Sequence, residues 1–153
     1  MSATVADLPP LFLRSTADRL TLGLSHRQEA GEAARLAVRE FLLPVGLAHH
    51  VLFQIELILE ETLMNRAWHA FADDAEHQIE LDVQVHEERI VMRFIDDGIA
   101  FDPTTAIARP LPTSLDDAQP GGLGLMLVRR FAESVSYQRD GQRNILTIGV
   151  ARA

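Results

Sequence analysis

The sequence predicts an α+β fold, because some segments repeat apolar residues at helical spacing and others alternate them with period two. Residues 47–71 follow the helical pattern over several turns without Gly or Pro, and residues 79–85 follow the alternating one. The chain has 153 residues, of which 47% are hydrophobic. This length and composition fit one packed core, so we expect a single domain over residues 1–153.

The N-terminal part of the chain predicts two strands after a frayed start. Residues 1–10 are polar and end in two prolines, and we expect them to fray. The short apolar stretches Leu11–Leu13 and Leu20–Leu24 are candidate strands.

Two helices are predicted next. Ser25 stands three residues before Gln28, which is the spacing of a capping box and predicts a helix start there. Apolar residues continue at helical spacing to Phe41, and the following proline and Gly46 end that helix. The longer helix then covers residues 47–71.

The remaining elements are strands, one helix and a long irregular segment. Residues 79–85 and 90–95 predict neighbouring strands. Residues 100–122 contain four prolines and no clean periodicity, and so long an irregular segment is typical of a functional loop or of disorder. Residues 124–132 return to helical spacing, and the rest of the chain predicts a hairpin around Asp140-Gly141.

Charge and composition exclude several classes of function. The formal net charge is −8, which disfavours nonspecific binding of nucleic acid. With no cysteine the chain has no disulfide, no thiolate metal site and no cysteine nucleophile. All 14 basic residues are arginine, so any phosphate chemistry must use arginine, a metal ion and backbone amides rather than a P-loop lysine. The sequence contains no membrane span and no signal peptide, so we expect a cytoplasmic protein.

A glutamate and an asparagine lie one turn apart on the long predicted helix. Glu61 and Asn65 project from the same polar stripe, where a carboxylate can act as a base and an amide oxygen can bind magnesium. A simple hydrogen-bonded pair on a solvated helix is the alternative interpretation.

Three further features are candidates for ligand binding. Asp96 and Gly98 end a predicted strand, where a carboxylate can accept a hydrogen bond from a base and glycine lets the backbone approach a ligand; a plain turn is the alternative. Gly121 to Leu125 open a helix whose free amides can bind phosphate. Thr147 interrupts an apolar strand, which needs no functional explanation by itself.

The order of these features resembles the GHKL (Bergerat-fold) ATPases. Three segments narrow the resemblance to the anti-sigma factor serine kinases: Glu61–Phe71 (ETLMNRAWHAF), Asp96–Pro103 (DDGIAFDP) and Gly121–Val128 (GGLGLMLV). The resemblance implies a two-layer sandwich with helices packed on one face of a mixed, mostly antiparallel sheet. It extends from about Leu20 to the C-terminus.

The resemblance also implies a set of roles. Glu61 would be the general base and Asn65 would hold magnesium on the phosphates of ATP. Asp96 would bind the adenine amino group, and residues 100–122 would be the ATP lid. The other residues implied in nucleotide binding are Gly98, Ala100, Arg109, Gly122, Leu123, Gly124, Leu125 and Thr147.

The implied function is an ATP- and Mg-dependent serine kinase that phosphorylates an anti-anti-sigma (STAS) domain and sequesters a sigma factor. A homodimer through the N-terminal strands and first helix is also implied. Two departures stand out: Ala100 replaces a usual glycine, and Trp68 lies where histidine kinases often carry a basic residue. Trp68 argues against a histidine-kinase module. Ala100 favours the alternative, a nucleotide-binding or degenerate anti-sigma or signalling adaptor that transfers no phosphate.

Overall fold

A six-stranded sheet with helices on one face makes up the described part of the chain. The computed structural model describes residues 8–69, 77–104 and 122–153. The strands are β1 (Phe12–Ser15), β2 (Arg19–Ser25), β3 (Gln78–Val85), β4 (Arg89–Asp96), β5 (Ser134–Asp140) and β6 (Arg143–Ala151), and the helices are α1 (Gly31–Leu42), α2 (His49–His69) and α3 (Gly122–Phe131). This confirms the predicted α+β class.

The strands lie in the order β1-β2-β3-β4-β6-β5, and every neighbouring pair is antiparallel. A partly parallel sheet was expected, but no parallel pair occurs among the described strands. The reason is the position of β6. β4 and β5 run in the same direction, yet β6 lies between them and pairs with both. The chain that leaves β4 returns through α3 before it forms β5.

The core lies between the sheet and the helices. Alternate residues of β2, β3, β4 and β6 face it, as Leu22, Leu81, Phe94 and Ile148 show by being fully buried. α1, α2 and α3 cover this face with apolar side chains, among them the fully buried Val128. The same alternation turns the intervening strand residues to the opposite face.

The sequence predicted the end of α1 better than its start. The capping-box prediction is wrong, because β2 continues through Ser25 and α1 begins at Gly31 after a 3-10 turn over Gln28–Ala30. The Ser25 hydroxyl instead accepts the N–H of Arg27 at 3.2 Å. At the other end, α1 stops at Leu42, two residues before the proline predicted to end it, and a 3-10 turn over Leu43–Val45 follows. Gly46 ends that turn with φ +77°, a left-handed conformation that favours glycine.

The described chain begins with an anchored residue. Residues 1–7 lie outside the described part. Leu8, within the segment expected to fray, donates its N–H to the carbonyl of Glu29 at 3.0 Å and packs against the core. Within the described ranges, no helix combines the length and apolarity that crossing a membrane requires.

Candidate functional site

Asp96, the last residue of β4, is buried at the end of the sheet. It pairs across the strands with Asn144 of β6, and the two side chains share the core face of the sheet with Phe94. Asp96 is 3% exposed and Asn144 is 0% exposed. The Asp96 Oδ1 atom accepts the N–H of Gly98 at 3.0 Å and the side-chain Nδ2 of Asn144 at 2.9 Å. Two donors on one oxygen fix the orientation of this carboxylate.

The Asn144 amide nitrogen donates beyond Asp96 to the chain that follows β4. Its Nδ2 atom lies 2.8 Å from the carbonyl oxygen of Ile99 and 3.4 Å from that of Gly98. Gly98 is buried, whereas Ile99 and Ala100 are exposed. The Asn144 side chain therefore connects the predicted Asp96–Gly98 turn to β6 by hydrogen bonds.

The Asn144 amide oxygen accepts three donors. These are the Tyr137 hydroxyl, Arg139 Nη1 at 3.1 Å and the backbone N–H of Phe101 at 3.4 Å. Arg139 Nη1 also donates to the carbonyl of Gly98 at 2.8 Å. Since the Asn144 oxygen meets only donors and its nitrogen meets only acceptors, the orientation of the amide is determined.

A second group of polar residues lies on α2. Asn65 is 6% exposed and Thr62 is 2% exposed, although a solvent-facing polar stripe was expected. Asn65 Nδ2 and Thr62 Oγ1 are buried without a hydrogen-bond partner among the described residues. Because Nδ2 is the only side-chain donor of Asn65, the pair does not form the hydrogen bond to Glu61 that the alternative interpretation requires.

Glu61 is partly exposed on α2. Burial, and after it the charge of Glu60, raises the pKa of the Glu61 carboxyl above its ordinary value. A raised carboxyl pKa makes Glu61 a stronger proton acceptor than a solvated glutamate. Glu60 is exposed and offers a natural control at the adjacent position.

Asn65 fits a magnesium site that a ligand completes. Among the described residues, no group of three His, Asp or Glu side chains could hold a metal ion. Mg²⁺ is commonly held by one or two protein ligands together with substrate phosphates and water. The Asn65 amide oxygen is the atom that could bind magnesium, and its Nδ2 donor, which has no partner among the described residues, could donate to a phosphate oxygen.

The glycine-rich segment forms the start of α3. Gly122, Leu123, Gly124 and Leu125 occupy its first turn, where backbone N–H groups have no partner within the helix. α3 packs against α2, which carries Glu61 and Asn65. Helix N-termini with free amides are suited to phosphate binding. Arg109 lies outside the described residues.

The structure places Thr147 away from Asp96. It lies opposite Arg93 of β4 and Ser136 of β5, on the sheet face that points away from the helices. Asn144 occupies the position beside Asp96 instead, with Tyr137 and Arg139 behind it. The sequence offered one signal for Asn144, because it shares the alternation of the buried Leu146 and Ile148.

Comparisons with known proteins agree on one family. Residues 24–150 match the family model described as the histidine kinase-like ATPase domain. The serine/threonine-protein kinase BtrW of Bordetella bronchiseptica is 42% identical over 96 residues, which cover 63% of this chain and 68% of that protein. The serine-protein kinase RsbW of Listeria innocua is 25% identical over 135 residues, 85% of this chain and 86% of that protein.

Two more distant similarities were found. The anti-sigma F factor of Oceanobacillus iheyensis is 21% identical over 118 residues, which cover 77% of this chain and 81% of that protein. Among solved structures, the histidine kinase domain of a blue-light activated histidine kinase from Erythrobacter litoralis matches with a TM-score of 0.48 and 22% identity. That match covers 67% of this chain, and the chain spans only 45% of the solved domain.

Proposed function

The chain belongs to the histidine kinase-like ATPase domain family, and we propose that it is an ATP- and magnesium-dependent serine protein kinase that also acts as an anti-sigma factor. The observation that carries the proposal is the buried amide of Asn65, whose Nδ2 atom has no hydrogen-bond partner among the described residues, one turn from the base candidate Glu61. The names of the similar proteins, which include two serine kinases and an anti-sigma factor, support the same function.

The proposal assigns each site residue a role, which the family resemblance supports. Asp96 accepts the adenine amino group with Gly98 beside the base, Ala100 lies in the same nucleotide-binding segment, and the amides at the start of α3 bind phosphate together with Arg109. Asn65 would hold magnesium, which would supply charge neutralisation on the phosphates. Glu61 takes the proton of the attacking serine hydroxyl while that oxygen bonds to the γ-phosphorus and the bond to the β-phosphate oxygen breaks. A phosphoserine and ADP result.

The phosphate acceptor in this proposal is a serine on an anti-anti-sigma (STAS) domain, and the sequestered partner is a sigma factor. Both partners and ATP are cytoplasmic in bacteria, so the proposal includes a cytoplasmic location. We also propose a homodimer through the N-terminal strands and first helix. Exposed leucines support it: Leu13 in β1, Leu11 just before it, and Leu36 on α1. Residues 100–122 serve as the ATP lid of this single domain.

A phosphate-transfer assay tests the proposal. The protein is incubated with labelled ATP, magnesium and a candidate STAS partner, and capture of a sigma factor is measured in parallel. The kinase proposal predicts both transfer and capture. Glu60→Ala serves as the control for Glu61→Ala, and only the second should stop transfer.

An adaptor without kinase activity is the second candidate, and Ala100 favours it. The methyl group of Ala100 replaces a glycine close to the proposed binding site for the base and phosphates. In the same assay an adaptor captures a sigma factor but transfers no phosphate to any STAS partner. If neither event occurs with any partner tested, both candidate functions are wrong.

A further inference from the structure

The hydrogen bonds around Asn144 extend further than the proposed recognition of adenine by Asp96 requires. One amide joins three separate parts of the chain: the end of β4, the segment 98–101, and β5 through Tyr137 and Arg139. The amide is fully buried and each of its two polar atoms has several partners. A buried polar group that is satisfied on both sides fixes its neighbours, because breaking any one bond leaves an uncompensated group.

We propose that Asn144 is the positioning residue for nucleobase recognition. Its nitrogen orients the Asp96 carboxylate and holds the carbonyls of Gly98 and Ile99, and its oxygen is held in turn by Tyr137 and Arg139. This inference rests on the proposed ATP-binding function. Asn144 acts through Asp96 and the backbone beside it, and it needs no contact with the nucleotide.

Arg139 extends the same arrangement to the β5–β6 turn. Its Nη1 atom bonds the carbonyl of Gly98 at 2.8 Å, and its Nε atom bonds the carbonyl of Gly141 at 3.1 Å. The guanidinium therefore connects the hairpin turn to the first residues after β4. Its planar set of donors reaches two carbonyls and the Asn144 oxygen at once. The segment leading into the proposed lid is thereby held to the hairpin.

The deciding variant is Asn144→Asp, which keeps the shape and the acceptor for Tyr137 and Arg139 but removes the donor to Asp96. It also places a second carboxylate against Asp96. We expect about a tenfold or larger loss of affinity for MgATP, the size that follows from losing one charge-assisted hydrogen bond. Affinity for magnesium triphosphate, which has no base, should stay unchanged. Ser136→Ala, on the neighbouring strand β5 and the opposite face, should change neither.

Amide hydrogen exchange supplies a measurement that is independent of nucleotide. In Asn144→Asp without ligand, the amide of Gly98 should exchange faster than in the wild type, because the Asp96 oxygen that accepts it loses the Asn144 donor. Ser136→Ala should leave this exchange unchanged. Arg139→Gln alters an exposed side chain and should give the same pattern to a smaller degree. It keeps the test decisive if Asn144→Asp does not fold.

Several results would overturn the inference. An equal loss of affinity for MgATP and magnesium triphosphate would mean that Asn144 serves folding alone. Unchanged ATP affinity in both variants would contradict it as well. If the wild-type protein binds no ATP, the proposed function fails separately, and the exchange rate of the Gly98 amide still decides whether Asn144 holds this segment.

Discussion

Two asparagines of the candidate site, Asn144 at the end of the sheet and Asn65 on α2, differ in whether their side-chain donors have hydrogen-bond partners among the described residues. At the end of the sheet, Asn144 has partners on both polar atoms, and they join β4, β5 and β6. On α2, Asn65 Nδ2 and Thr62 Oγ1 are buried without a hydrogen-bond partner among the described residues. The protein itself holds the Asn144 amide, whereas α2 carries buried polar atoms that the described residues leave without a hydrogen bond, and such burial costs stability.

This difference indicates that the two ends of the site have separate roles in ligand binding. Recognition of a base needs fixed acceptors before the ligand arrives, because orientation decides selectivity. A site for metal and phosphates can remain unsatisfied, because the ligand supplies the missing partners. The stability lost at α2 would then be recovered on binding, as it is for any ligand that binds only the folded state.

The largest effect is expected at Glu61. Glu61→Ala should lower single-turnover phosphate transfer by about 10²- to 10⁴-fold, the usual contribution of a general base, and spare ATP and sigma-factor binding. Since burial and Glu60 raise the pKa of Glu61, the wild-type rate should rise with pH through that raised value as the carboxyl loses its proton. Transfer that is as fast in Glu61→Ala as in the wild type would place the base elsewhere, with Glu60 next to test.

Asn65→Ala should remove most of the magnesium-dependent gain in ATP affinity. Changes in the surroundings of metal ligands typically cost about 10- to 100-fold in metal affinity, and loss of a ligand should cost at least as much. The fold should persist, because Asn65 Nδ2 gives up no hydrogen bond to the described residues. Calorimetry with and without magnesium measures the change, and unchanged affinity in magnesium would refute this role.

Asp96→Asn should weaken ATP binding by about tenfold or more, because a hydrogen bond to a charged acceptor contributes roughly 1.5–3 kcal/mol. Binding of inorganic triphosphate should not change, since it carries no base. A parallel titration of the two ligands separates the outcomes. Equal weakening of both would show that Asp96 supports the fold rather than the base.

The smallest expected effects are on the free energy of unfolding, and two variants compare the two ends directly. Tyr137→Phe removes a satisfied donor to Asn144 and should lower the free energy of unfolding by about 0.5–1.5 kcal/mol. Thr62→Val removes a buried hydroxyl that has no partner among the described residues, so it should leave stability unchanged or raise it. Denaturant unfolding of the protein without ligand measures both. A destabilised Thr62→Val would remove the difference between the ends.

Local patterns predicted most of the secondary structure. The period-two alternation placed β3 and β4 to within one residue at each end, because the side-chain period of a strand depends only on its own sequence. The start of α1 was missed because Ser25 continues β2 in its pairing with β3. A capping motif in the sequence does not reveal whether its first residue pairs with a neighbouring strand instead of starting a helix.

The site was predictable where its residues are close in sequence. Asp96 and Gly98 belong to one motif, and they do form one turn. The partnership of Asp96 with Asn144 spans 48 residues and depends on the register between β4 and β6. Thr147 lies three positions further along β6, and an odd step on a strand leads to the opposite face. Single-sequence motifs carry no information on that register.

The position of β6 between β4 and β5 also bears on synthesis at the ribosome. β6 follows every other described element in the chain, yet it fills an interior place in the sheet. Until residues 143–151 have emerged, the edge of β4 stays open and β5 has no strand to join. An open edge can pair with another chain, so nascent or truncated forms ending before Arg143 should aggregate. The carboxylate of Asp96 acquires its Asn144 partner only at that last stage of assembly.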